Sequence, residues 1–380
     1  MTDHAPPRRI DGHLLTPQGF VLGTLWLDGA GRIAGIDGAP CSEADVRAST
    51  RPLVLPGFID LHVHGGGGRD TMEGGDAVAH IAQLHARHGT TALLATTMTA
   101  PQDELAAALA ALGPTIARRP RGAARVLGVH LEGPYISAGR LGAQPEFTRP
   151  GAMGELMALH ALAPIRLITL APELPGHLAW IARLRVAGFV VQIGHSDGSY
   201  EDGVAALGQG ASGFTHLFNA MSGLHHRAPG MVGAALAHAR YAELIPDLLH
   251  VHPGAIRAAL RAIPGLYCVS DATAATGMPD GDYALGRQRV SKCGGGVRLA
   301  DGTLAGSTLT MDQALRNLVG LGLTLADASR RVSTHAADFL GLADRGRLQA
   351  GAWGDLVVLD PDLQLQQVWV EGEAIALGSA

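Results

Sequence analysis

His62 and His64 stand two residues apart in the run LVLPGFIDLHVH, and Glu132, His195, His216 and Asp271 follow at wide intervals. Each of these four ends its own short apolar segment, in ARVLGVHLEG, FVVQIGHS, GFTHLFN and LYCVSDA. Residues two apart on a strand share a face, so His62 and His64 would project together from one end of a sheet. Neutral imidazole suits Zn or Fe, and a carboxylate such as Glu132 can complete or bridge such a site. A lone histidine beside apolar residues is usually a satisfied core residue. An ordered series, all at strand ends, instead describes a metal-dependent hydrolase built on a barrel. Asp271 is surplus to a shell already rich in ligands. Acid–base chemistry is therefore its expected role, with an N-cap for the following segment as the alternative.

Positioning those groups falls to eight short apolar segments between residues 53 and 285. In order they are LVLPGFIDLHVH, TALLATT, ARVLGVHLEG, IRLITLAPE, FVVQIGHS, GFTHLFN, AELIPDLLHVH and LYCVSDA. Alanine-rich helical stretches such as DAVAHIAQLHARHG and DELAAALAALG separate most of them. Strand–helix alternation implies a parallel sheet, and eight units imply an α/β fold closed as a (β/α)8, TIM-like barrel. The two ends differ. GTLWLDGAGRIAGI reads as short strands about the turn Asp28-Gly29-Ala30-Gly31, and GDLVVLDPDLQLQQVWVEGEAI has the same character. We expect a small β-sandwich domain from residues 1–52 and 346–380, flanking a catalytic barrel at 53–345.

Composition narrows the partners. The 29 basic and 34 acidic residues give a formal net charge of −5, which argues against a nucleic acid or an anionic membrane. Three cysteines, Cys41, Cys268 and Cys293, show no C-x-x-C spacing, so reduced thiols in a cytoplasmic protein are expected. MTDHAPPRRI lacks the apolar stretch of a signal peptide, and no run is long enough to span a bilayer. Glycine clusters beside the candidate ligands, as in GGGG at 65–68 and GHSDG at 194–198, fit close backbone approach to a ligand.

PGFIDLHVHG, HLEGPYIS, GHSDG, THLFNAMSGLHHRAPGMVGAAL, VSDATAATGMPDGDY and LAGSTLTMDQALRNLV cover nearly the whole chain in order. Together they resemble the N-acetylglucosamine-6-phosphate deacetylase family of the amidohydrolase superfamily. PGFIDLHVH alone would indicate only the superfamily; HLEGP with THLFNAM and DATAATGMPDG is far more restrictive. The resemblance implies hydrolysis of the acetamide of a sugar phosphate. It places Glu132, His195 and His216 on the principal divalent cation, Zn or Fe foremost. His62 and His64, replaced in some members, allow a second ion, so one or two per subunit. IRLITLAPE ends without the superfamily's frequent bridging lysine, which leaves Glu132 to bridge.

By the same resemblance Asp271 takes the proton of the attacking water and returns it to the leaving amine, with His130 or His195 helping at the oxyanion. The run from Asn219 and Ala220 to His225, His226 and Arg227 offers amide, imidazole and guanidinium groups to the phosphate. Arg227 is implied to reach across a homodimer into the neighbouring subunit's site. His250, rather than His252, is implied to touch substrate, although the family often has glycine where Leu248 or Leu249 stands here. Backbone groups at Ala143 and at Leu304, Ala305 and Gly306 complete the pocket. Two other readings compete. One is an amidohydrolase acting on a cyclic amide, such as a dihydropyrimidine or hydantoin, which needs no phosphate grip. The other is an inactive barrel serving as a scaffold, which would be expected to lose ligands.

Overall fold

The computed structural model describes residues 8–377. Eight parallel barrel strands appear in the expected segments: Phe58–Val63, Thr90–Thr97, Arg125–Glu132, Ile165–Leu170, Val190–Ile193, Gly213–Phe214, Glu243–Leu244 and Tyr267–Cys268. The first six form one sheet in sequence order, and the last two pair with each other. Leu217 N donates to Glu243 O at 2.9 Å, joining the sixth strand's exit to the seventh strand. Asp271 N donates to His62 O at 3.0 Å and Val63 bridges Ala272, which closes the eighth strand onto the first. Phe58–Val63 and Thr90–Thr97 are buried along their whole length, as strands covered on both faces must be. The covering helices bury one stripe each. Ala77–Arg87, for example, turns Val78, Ile81, Ala82, His85 and Ala86 inward at spacings of three and four.

The segment LVLPGFIDLHVH divides in two. Leu53–Pro56 pairs parallel with His13 and Leu14 and antiparallel with Leu356–Leu359, inside the sheet built by the termini. Barrel pairing starts only at Phe58. The junction expected at 52/53 thus lies at Gly57. A Cβ on Gly57 would sit 2.2 Å from Thr91 Cγ2, so only glycine lets the chain cross here from one sheet to the other. On the C-terminal side, Leu348 and Ala352 already pack in the small domain's core.

The small domain is a seven-stranded sheet running from Glu373–Ile375 at one edge to Ile33–Pro40 at the other. Alternation along its central strands buries both faces. Val54, Leu356 and Val358 join Leu14, Leu25 and Leu27 in a core of their own. Leu53, Leu55, Val357 and Leu359 pack against the barrel. One further element had no signal in the sequence: an antiparallel insert after the eighth strand, Gly281–Leu285, Gln288–Cys293 and Gly296–Arg298. Its polar, glycine-rich stretch offers no apolar run, yet Leu285, Val290 and Val297 bury together with Met98 beside the barrel mouth. Among the described residues no helix is long and apolar enough to cross a membrane.

Candidate active site

The six groups singled out first converge at the C-terminal end of the barrel. His195 and His216 lie just past the fifth and sixth strands, at φ 47° and 27°, and Asp271 just past the eighth, at φ 51°. Left-handed backbone is uncommon outside glycine and concentrates where a site overdetermines it. Gly194 makes the approach to His195 possible, because a Cβ there would meet Thr169 and Thr215 at 2.7 and 2.8 Å.

Glu132 is the shared centre. Its Oε1 lies 3.1 Å from Nε2 of both His195 and His216, and those two nitrogens are 3.0 Å apart. Its Oε2 lies 3.1 Å from His64 Nε2 and 3.4 Å from His62 Nε2, which are themselves 3.1 Å apart. One carboxylate therefore faces two imidazole pairs. Asp271 Oδ1 stands on the second side, 3.5 and 3.4 Å from His62 and His64 Nε2. Burial would raise the Glu132 pKa, but the imidazoles around it hold it well below the usual carboxylate range. Burial likewise opposes charge on His62 and His195, yet the carboxylates beside them raise both.

These donors fit a divalent cation. His195 Nδ1 donates to Arg140 O at 2.9 Å, so its neutral ring turns a lone pair toward His216. Two lone-pair nitrogens and a carboxylate oxygen packed this closely repel unless a cation or proton lies among them. Tetrahedral ligands at roughly 2.0 Å from a zinc ion stand about 3.3 Å apart, close to the spacing here. The groups Glu132, His195, His216 and His62, His64, Glu132 each satisfy this convergence.

Supporting groups appear that the sequence reading missed. Glu243 Oε2 accepts from His62 Nδ1 at 3.0 Å and from the His216 N–H at 3.2 Å, aiming His62 Nε2 at the site. Its only signal was a single charged residue at the start of the seventh apolar segment. Gln144 Nε2 donates to Glu132 Oε2 at 2.7 Å, while its own carbonyl accepts from Thr99 N at 2.7 Å, which fixes the amide's orientation. Nothing about a glutamine in a loop could have revealed this. The oxyanion role offered to His130 does not hold. That ring is buried, with Nδ1 on Leu61 O and Nε2 on Thr169 Oγ1, at 3.1 and 2.7 Å. Nor does Asp271 cap a helix: Ala272 after it bridges Val63 and Ser307, and the next helix starts only at Met311.

Ala143, Asn219, Ala220, His250, Leu304 and Gly306 line the cavity in front of these ligands. Met98, Leu285 and Thr303, absent from the sequence reading, line it too. Ala305 is buried behind the wall, among Met98, Ala275 and Leu285. His226 and Arg227 do not line this chain's cavity. They lie on the exposed loop 223–228, where Arg227 Nη1 contacts His226 Nε2 at 2.7 Å. His252 caps the helix Pro253–Ala262, its ring accepting from Gly254 N, and so is occupied elsewhere.

Comparison with known proteins follows the same lines. An N-acetylgalactosamine-6-phosphate deacetylase of Escherichia coli O157:H7 is 41% identical over 375 residues, covering 95% of this chain and 98% of that protein. An N-acetylglucosamine-6-phosphate deacetylase of Lysinibacillus sphaericus is 42% identical over 83% of each chain. In structure, the chain matches an N-acetyl-D-glucosamine-6-phosphate deacetylase of Mycobacterium smegmatis, solved in complex with N-acetyl-D-glucosamine-6-phosphate. The TM-score is 0.89 at 34% identity, over 98% of this chain and 100% of that one. The model of the amidohydrolase family matches residues 53–375, from the last strand before the barrel to the last strand of the small sheet. The chain belongs to the amidohydrolase family.

Proposed function

We propose that this protein hydrolyses the acetamide of N-acetyl-D-glucosamine 6-phosphate, giving D-glucosamine 6-phosphate and acetate, in amino-sugar catabolism or recycling. The observation that carries this reading is the placement of Glu132, His195, His216 and the Asp271 carboxylate at the head of one cavity. The same cavity carries Asn219, Ala220, His250 and Leu304 on its walls. Relatives named as hexosamine-phosphate deacetylases support it along almost the whole chain. None of this favours a cyclic-amide substrate, and a ligand set retained in full speaks against a scaffold.

Glu132, His195 and His216 would hold the principal divalent cation, Zn or Fe, and His62 and His64 with Glu132 a second. When bound, such an ion supplies Lewis acidity, polarising a carbonyl and making water nucleophilic near neutral pH. The protein's own groups do the rest. Asp271 accepts the proton of the attacking water and then gives it to the amide nitrogen, because an amine departs readily only when protonated. Asn219, Ala220, Ala143, Leu304 and Gly306 orient the sugar. Arg227 and His226 grip the phosphate from the neighbouring subunit of a homodimer, which accounts for their exposure on a single chain. The enzyme works in the cytoplasm.

A second substrate has a specific observation behind it: the E. coli relative that covers 95% of this chain is named for the galactosamine epimer. The deciding experiment is acetate release from both N-acetylhexosamine 6-phosphates, before and after chelation. The expected result is metal-dependent release from the glucosamine substrate. Release from neither epimer by metal-loaded protein would overturn the proposal.

A further inference from the structure

The turn after the seventh barrel strand carries a device separate from the ligand cluster. Asp247 Oδ1 accepts the backbone N–H groups of Leu249 and His250, each at 2.9 Å, and its Oδ2 lies 2.6 Å from His250 Nδ1. Asn317 Nδ2 donates to Pro246 O at 2.9 Å, tying the turn to the helix Met311–Gly320. Between them Leu248 sits at φ 66°, a costly conformation for leucine that the carboxylate's bonds hold in place. The His250 side chain is almost wholly buried and lines the cavity together with Asp271.

Because Nδ1–H is committed to Asp247, a neutral His250 ring would show the cavity a lone pair at Nε2. Only the imidazolium can offer an N–H there. The charged groups facing the ring are Asp247 on its own turn, Asp271 from the end of the eighth strand and Arg298 from the insert. Burial opposes the charge on His250. The bond and charge of Asp247 outweigh it, Asp271 adds to them and Arg298 subtracts, so the ring's pKa lies above its ordinary value. In turn, burial would raise Asp247, but His250 and the two turn N–H groups hold it low.

We propose that Asp247 is a positioning residue for substrate: it aims His250 into the cavity as an imidazolium whose Nε2–H donates to an oxygen of the bound sugar phosphate. This rests on the deacetylase reading above. The sign follows from protonation. The bond is fully present while His250 is charged and is lost as pH rises through its elevated pKa, so KM should climb on the alkaline side.

The test is kcat and KM against pH for the intact enzyme, Asp247→Ala and Asp247→Asn. Loss of a hydrogen bond from a charged group is worth roughly ten- to a hundredfold. Asp247→Ala should raise KM by about tenfold or more at neutral pH, move the alkaline rise to lower pH and change kcat less. Asp247→Asn keeps its oxygen on the two turn N–H groups, which forces its NH2 against Nδ1 and leaves Nε2–H on a neutral ring. Its KM should be intermediate and flat across the same pH window. This variant preserves the turn and so separates aiming from folding. Unaltered KM and pH profiles in both variants, or a fall in kcat alone, would overturn the proposal. NMR titration of the His250 ring distinguishes the two readings. If the enzyme released no acetate, the substrate reading would fail. The positioning role would fail instead if the ring titrated at its ordinary pKa, or titrated identically in Asp247→Ala.

Discussion

One carboxylate divided between two imidazole pairs defines the residue scale. Glu132 can do this because each oxygen has lone pairs to spare, and Gln144 occupies one of them on Oε2. Outer partners of this type typically contribute about ten- to a hundredfold to metal affinity. Gln144→Ala should therefore weaken cation binding by about that factor in a chelator competition while leaving the fold intact. Unchanged affinity would reduce Gln144 to a packing residue. Asp271→Asn should behave oppositely, keeping its cation and losing turnover by at least about 10²–10⁴-fold, the usual worth of positioned proton transfer. Metal content and acetate release, measured on the same sample, decide it; near-normal turnover would remove Asp271 from the proton path. His62, His64, Glu132, His195, His216 and Asp271 were legible in sequence because each ends an apolar run. Gln144 and Glu243 were not, because their importance lies only in what they touch.

Strand ends are the element-scale device. A barrel strand stops, the second or third residue beyond it turns left-handed, and a side chain is thrown into the mouth; His195, His216 and Asp271 share this pattern. The same turn chemistry bears on Leu248 and Leu249, at one of which the family resemblance implies glycine. Leu248 occupies left-handed backbone at φ 66°, and the residue is 40% exposed. That conformation costs an L-residue roughly 1–2 kcal/mol, and glycine gives back about 0.5–1 kcal/mol through its freer unfolded chain. Leu248→Gly should thus be neutral or stabilising by up to about 1 kcal/mol in urea denaturation. A loss larger than about 1 kcal/mol would mean that the leucine side chain itself holds the turn. Barrel strands and helices could be read from the sequence by period and length. The insert 281–298 could not, since its few apolar residues become a core only against Met98 and Ala275.

At the scale of the whole molecule, the small sheet is fastened to the closed end of the barrel by charge. Glu371 receives Arg119 and Arg125 from the barrel side at 3.1 and 2.8 Å, and Arg345 at 2.5 Å. Burial would raise the Glu371 pKa, but the guanidinium groups of Arg125 and Arg345 outweigh it and lower it from 4.5 to about 2. A depressed carboxylate stabilises the fold above its unfolded pKa, and that contribution is lost as pH falls from about 4.5 toward about 2. Glu371→Gln should cost about 1–2 kcal/mol at neutral pH, solvent screening reducing the worth of a half-buried pair, and flatten the acid limb of the stability curve. An unchanged acid limb would show the network to be idle.

Quaternary structure belongs to the same scale. Arg227→Ala and Asp271→Asn chains, each nearly inactive alone, should recover about a quarter of full activity when co-assembled. In the proposed homodimer, with Arg227 reaching across, half of the dimers are then mixed and each mixed dimer has one complete site. No recovery would place Arg227 in its own subunit's site.

The sequence by itself determined the kinds of candidate site residue, their order and their delivery from five strand ends, because periodicity and apolar run length are local properties of a chain. It also located strands at both termini that join in one small sheet domain, though not the crossing at Gly57, which depends on Thr91 from the second strand. Only the tertiary structure decided that Glu132 faces both imidazole pairs, that Glu243 and Gln144 orient them, and that Asp247 holds His250. Except for Asp247 and His250, three apart in one turn, those relations join residues from different strands and loops. Their distances are set by closure of the barrel, where the end of the eighth strand is hydrogen-bonded to the first.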